Sequence, residues 1–117
     1  MNILPRANEV VISIDKFIRY VLHPENSKGK HIAFERALGY NLSNADKLVE
    51  NIRQNIHKFP CAEQADKGHG KRYSVDMLLT GENGRVARVI TAWIDDNISG
   101  EMRLTSAYIK TRRQVYD

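Results

Sequence analysis

Apolar residues recur along this chain with two different periods. The change from one to the other separates a helical first half from a stranded second half. In the first half Ile14, Phe17, Ile18, Val21 and Leu22 fall on one stripe behind Ser13, a helix N-cap residue type, and predict a helix over Ile14 to Leu22. His23-Pro24 ends it, because the residue before proline avoids helical backbone. A second helix is expected over Ile32 to Leu38 with Gly39 as its left-handed cap. A third begins at Ser43, with Asp46 completing a capping box, and carries Leu48, Val49, Ile52 and Ile56 along one side as far as Phe59-Pro60. Ahead of these lie an extended lead-in over Asn2 to Asn8 and a short edge strand over Glu9 to Ile12.

In the second half the period drops to two. Leu78 to Ile94, LLTGENGRVARVITAWI, reads as two strands folded about Asn83-Gly84, the residue pair that a two-residue type I′ hairpin turn requires. That register sets Leu79 opposite Arg88, Met77 opposite Ile90, Val75 opposite Ala92 and Tyr73 opposite Ile94 on the core face. Ser74, Asp76 and Leu78 then share the other face with Trp93, Thr91 and Val89. The strands are expected over Arg72 to Thr80, Arg85 to Ile94 and Met102 to Lys110, with Cys61 to Lys71 a polar, mobile connector before them. The tail TRRQVYD has no decisive pattern. Helices followed by a meander predict an α+β fold. N-terminal helices (about 13–59) pack on one face of a small antiparallel sheet (about 72–110), in a single domain over 1–117 whose opposite sheet face is open.

Composition refines this picture in three places. At 117 residues and 42% hydrophobic content the chain suits one core. Eighteen basic against fourteen acidic residues give a formal charge of +4, which fits a polyanionic partner and is also common among ordinary proteins. The single Cys61 makes no internal disulfide, and no Cys/His spacing marks a zinc site, so neither a metal nor any other cofactor is expected. With no apolar run of signal-peptide or membrane-spanning length, the expectation is a cytoplasmic domain without a membrane partner, or the delivered end of a longer secreted protein.

Three stretches have residues suited to chemistry. Ser27-Lys28-Gly29-Lys30-His31 opens the second helix, where free main-chain N–H groups, Gly29 and the charges of Lys28 and Lys30 favour a phosphate. The helix dipole favours the free-base imidazole of His31 that a general-base step needs. The bland alternative, a soluble connector with a packed or solvated histidine, has about 60% of the weight. Lys67-Gly68-His69-Gly70-Lys71-Arg72 offers Lys71 and Arg72 to phosphates, although His69 between two glycines is poorly held. On the open sheet face, Arg103 and Thr105 join Thr91, Trp93, Asp76 and Ser74 if Met102 and Leu104 point inward, and an exposed Trp93 would stack on a base. Sliding the last strand by one residue presents Leu104, Ser106 and Tyr108 instead. A tryptophan is more often core than stacking surface, by roughly two to one.

The lead-in LPRANEVVI, the segment KFIRYVLHPENSKGKHIAFERALGY, the hairpin LLTGENGRVARVITAWI and the strand RLTSAYI together resemble a small bacterial domain found alone and at the C-termini of polymorphic toxins. Toxin tips of this layout are similar to the barnase, EndoU, colicin and RelE group of metal-independent ribonucleases. The resemblance implies RNA cleavage by 2′-hydroxyl attack on the adjoining phosphate, with His31 as base or acid. Lys28 and Lys30 or Arg103 would clamp the phosphate, and Thr91, Thr105 or Tyr108 would position the substrate. It further implies RNA, tRNA included, as substrate and a cognate inhibitor or immunity protein as partner. A second firmly placed histidine is missing from the pattern. Non-catalytic protein interaction or nucleic-acid binding is the alternative function.

Overall fold

The structure, a computed structural model, describes residues 2–110, and the tail TRRQVYD lies outside the described residues. The α+β expectation holds. Three α-helices, α1 (Ile14–Lys16), α2 (Lys30–Leu38) and α3 (Ala45–Asn55), precede four strands, β1 (Cys61–Gln64), β2 (Gly70–Thr80), β3 (Val86–Asp96) and β4 (Met102–Ile109). The strands form one antiparallel sheet in meander order β1-β2-β3-β4. Phe17, Phe34, Leu38, Leu48 and Ile52 from the helical half are wholly buried in one core cluster with Val75, Met77, Leu79, Val89 and Trp93 from the sheet.

The first helix continues from α1 as a π-helical stretch over Phe17–Val21, in which the Leu22 N–H donates to the Phe17 carbonyl at 2.9 Å. This wider winding brings Phe17, Val21 and Leu22 into the core and leaves Ile14 and Ile18 exposed, so the expected five-residue stripe splits. Ser13 makes no side-chain cap. Gly39 is the left-handed terminator expected, at φ 77°, with its N–H donating to the Glu35 carbonyl and that of Tyr40 to Phe34. The capping box of the third helix lies two residues earlier than Ser43. The Asn41 side chain accepts from the Ser43 N–H at 2.9 Å, and the Asn44 side chain accepts from the Asn41 N–H at 2.8 Å. Asparagine fills both roles because its carbonyl oxygen reaches main-chain donors as readily as a hydroxyl does.

Two edges differ from the sequence reading. The segment expected as an edge strand makes a single parallel bridge, Val11 to Arg103, on the free side of β4. The polar connector begins with β1, which pairs Cys61–Gln64 against Val75–Arg72. Its side chains are half-buried or exposed, so no apolar alternation marked it as a strand.

The central correction concerns register. The hairpin turns through three residues, Glu82, Asn83 and Gly84, with the Gly81 N–H donating to the Arg85 carbonyl at 2.8 Å and the Gly84 N–H to Gly81 at 3.1 Å. Gly84 alone is left-handed, at φ 80°, whereas a type I′ turn would need Asn83 there too. The extra residue moves every pair by one. Tyr73 faces Trp93, Val75 faces Thr91, Met77 faces Val89 and Leu79 faces Ala87. Thr91 and Trp93 therefore lie on the helix-covered face, at 0% and 1% exposure. Ser74, Asp76 and Leu78 share the open face with Ala92, Ile90 and Arg88.

Burial of Thr91 is tolerated because its hydroxyl is satisfied twice. It donates to the Val75 carbonyl at 3.1 Å and accepts the Trp93 indole N–H at 2.8 Å. Thr91→Val keeps the shape but strands the indole N–H, so the denaturant midpoint should fall by an amount equivalent to about 1–3 kcal/mol. Gly81→Ala should destabilise by a similar amount, about 1–3 kcal/mol, because a Cβ there runs into the main chain and side chain of Leu38. An unchanged unfolding curve for either variant would contradict this packing.

Candidate functional site

The feature that builds a site is an irregularity in β4. Ala92 pairs with Ser106 but Trp93 pairs with Leu104, so Thr105 is an extra residue, a β-bulge. Met102 and Leu104 before it and Ala107 and Ile109 after it all point into the core, although they differ in parity along the strand. This accounts for the poor alternation of the segment. Both readings of the last strand hold in part, since Arg103 lies on the open face before the bulge, and Ser106 and Tyr108 lie there after it.

Thr105 lines two cavities. One, of about 210 Å³, is also bounded by Lys16, Ser27, Lys28, Lys30 and Ser106. The other, of about 280 Å³, runs over the open sheet face past Gln64, Lys67, Arg72, Ser74 and Ala92. Lys16 comes from α1, where its Nζ donates to the Thr105 carbonyl at 3.3 Å. Lys28 and Lys30 flank Gly29 at the start of α2, both Lys28 and Gly29 being left-handed, at φ 56° and 89°. Lys30 Nζ also sits 5.8 Å from the centre of the Tyr108 ring, within cation–π range. No carboxylate lines the first cavity, and none of its three lysines is in an ion pair among the described residues.

The expected residues thus come together in part. Lys28, Lys30 and Thr105 share the first cavity, Tyr108 adjoins it through Lys30, and Arg72 shares the second cavity with Thr105. His31 faces a different cavity, with Leu22, Pro24 and Glu35. One atom connects it to the lysines: Ser27 Oγ, 3% exposed as a residue, lies 2.8 Å from His31 Nδ1 and accepts the His31 main-chain N–H at 3.1 Å. The hydroxyl can donate to Nδ1 or accept from it, according to which ring nitrogen carries the proton.

Trp93 also lines the second cavity, although it is almost wholly buried, and the other expected members stand elsewhere. Thr91 cannot position a substrate and Trp93 cannot stack on a base from the open face, because the register turns both side chains into the core. Lys71 is ion-paired with Glu63 at 3.3 Å. The Arg103 guanidinium is held by Asp96, with its Nε donating at 3.1 Å. Asp96 also accepts the Ile98 N–H at 2.8 Å and the Ser99 N–H at 3.3 Å. Lys16 and Gln64 were not singled out in the sequence, and Lys67 was named there only as part of its basic stretch. Lys16 lies 89 positions from the threonine whose carbonyl it meets, and no local pattern encodes that meeting.

An α+β domain with helices on one face of an antiparallel meander, and a lysine-lined cavity where a bulge breaks its last strand, is the class of protein that this geometry defines. The chain belongs to the family described as Domain of unknown function (DUF6883), which it matches over residues 3–111. No curated protein and no solved structure matches it significantly. Among the described residues no helix is long and apolar enough to cross a membrane.

The Ile98 N–H, and after it the Arg103 guanidinium, hold the Asp96 carboxyl down at about 2 against an ordinary 3.8. Because the folded state keeps this proton off longer than the unfolded state, stability from Asp96 is complete above its unfolded value and is lost as pH falls through 3.8 toward about 2. Asp96→Asn should therefore flatten the decline of the denaturation midpoint across that acid range relative to the parent protein. Parallel declines in the two proteins would show that Asp96 is not a source of it.

Proposed function

We propose that this domain binds single-stranded RNA along its open sheet face, with a phosphate held in the lysine cavity at the Thr105 bulge. The observation that supports this most directly is the convergence of Lys16 from α1 with Lys28 and Lys30 from the start of α2 on one cavity that no carboxylate lines. Like charges so gathered repel one another, and an anion between them relieves that repulsion. The hydroxyls of Thr105 and Ser106 add donors for phosphate or ribose oxygens, contacts that position a strand without reading its sequence. From the cavity the face continues to Arg72 and Lys67, neither of which is ion-paired among the described residues.

A second reading, metal-independent endoribonuclease, draws on the Ser27 to His31 hydrogen bond at the edge of the same cavity. In that reading an RNA 2′-hydroxyl attacks its own 3′-phosphate and passes its proton to Ser27 Oγ, while the Ser27 proton moves to His31 Nδ1. The lysines hold the non-bridging oxygens, the bond to the 5′-oxygen breaks, and that oxygen takes a proton from a lysine ammonium or water. The products are a 2′,3′-cyclic phosphate and a 5′-hydroxyl. A cognate inhibitor of such an enzyme would carry an acidic surface for the same lysines.

Binding to a labelled single-stranded RNA, followed by anisotropy between 50 and 200 mM salt, should weaken with a slope of about −0.7 for each phosphate contact. Lys28→Gln combined with Lys30→Gln should lower affinity by at least about tenfold and make that slope shallower by about 1.4, the sum of two such contacts. Affinity indifferent to salt and to these substitutions would sink the binding reading. For the second reading, cleavage of total RNA in EDTA should slow by about 100-fold or more in His31→Gln. RNA left intact by the parent protein removes catalysis and leaves binding standing.

A further inference from the structure

The two cavities that meet at Thr105 have different characters, and the difference bears on which part of an RNA they suit. In the lysine cavity three ammonium groups stand around a space of about 210 Å³ with no carboxylate to offset them. An internal phosphodiester has one negative charge. A terminal phosphomonoester has about 1.5 to 2 near neutral pH and a third free oxygen. Two of its lining residues, Val21 and Ser27, are 4% and 3% exposed, so one wall of the cavity is packed. A strand end fits against such a wall.

Across Thr105 the second cavity is larger, about 280 Å³, and the small side chains of Ala65 and Ala92 leave room beside the sheet for a flat ring. Arg72 lines it, and Arg72 Nε is the one buried side-chain nitrogen or oxygen without a hydrogen-bond partner among the described residues. A buried donor left unpaired is rare in a native fold, and it marks Arg72 as a side chain held in place without its full set of partners. The terminal Nη groups of a guanidinium also present parallel N–H donors, which match two adjacent acceptors on one edge, as in O6 and N7 of guanine.

We infer that the adjoining cavities form one site for the phosphorylated terminal nucleotide of an RNA, the phosphate among Lys16, Lys28 and Lys30, the base beside Arg72, and Thr105 between them at the sugar. This rests on the RNA-binding reading and adds to it a preference for a strand end. The test uses the full chain and three short single-stranded RNAs of one sequence with guanine at both ends, bearing a 5′-phosphate, a 3′-phosphate or neither. The two phosphorylated strands carry equal charge, so a difference between them reads geometry and not charge alone. One of them should bind at least about tenfold tighter than the other two, a difference of about 1.4 kcal/mol. Lys16→Gln with Lys28→Gln should abolish that advantage while the variant keeps the circular dichroism spectrum and melting curve of a folded protein. Replacing the preferred terminal guanine by uracil should weaken binding to the parent protein but not to Arg72→Gln. Equal binding of all three RNAs, or equal gains from either phosphate, would overturn end recognition and leave salt-dependent RNA binding intact. An advantage that survives the double lysine substitution would move the phosphate elsewhere and overturn the assignment. An Arg72→Gln variant that still discriminates against uracil would do the same for the base. Absence of binding by any of the three RNAs would take down both this inference and the reading beneath it.

Discussion

The rest of this structure depends on the parity of one turn. Side chains alternate across a strand with a period of two, so a hairpin with three turn residues and one with two bury opposite sets of side chains. Here Glu82, Asn83 and Gly84 make the turn, and Val75, Met77, Leu79, Val89 and Trp93 face the helices as a consequence. The shorter turn would have sent Arg88 inward opposite Leu79. Arg88 instead pairs with Asp76 on the open face, and the one hydroxyl that the observed register buries, on Thr91, is satisfied by the Val75 carbonyl and the Trp93 indole. Apolar burial and polar satisfaction thus favour the same register.

A second one-residue event reverses parity again within β4 and has a different consequence. Met102 and Leu104 are two apart, as are Ala107 and Ile109, yet the two pairs are out of step, and only an inserted residue lets a single strand bury both. Thr105 is that residue, and the bulge sets it where the helical layer and the open sheet face meet, between two cavities. A requirement of core packing thereby creates an irregular polar position at an edge, a setting in which bulges commonly re-aim side chains.

Charge on the surface of the sheet is organised by which cations have partners. Asp76 takes Arg88 and Lys110, Asp96 takes Arg103, Asp95 takes Arg6, and Glu63 takes Lys71. Pairs this exposed add little to stability. Their larger effect is to neutralise the cations they hold, while Lys16, Lys28 and Lys30 and, beyond Thr105, Arg72 and Lys67 keep their charge unpaired among the described residues.

The sequence by itself determined the positions of the main helices and of the three long strands, the α+β class, the Gly39 terminator, the existence of the central hairpin, and the pairing of Lys28 with Lys30 beside a helix start. Each of these is carried by periodicity or by a residue's own backbone preference, both readable within a few neighbouring positions. Tertiary structure decided the register, since Asn-Gly is compatible with turns of either parity and only packing of the whole sheet against the helices chooses between them. It also decided that Asn41 caps where Ser43 was expected to, and that CAEQ, which buries almost nothing, is a strand because β2 offers it an edge. The meeting of Lys16 with Thr105, the separation of His31 from the open face, and the capture of Arg103 by Asp96 belong there too. Such contacts join residues from different elements, and the distance between two elements is set by how their cores interlock, which no local pattern of side chains encodes.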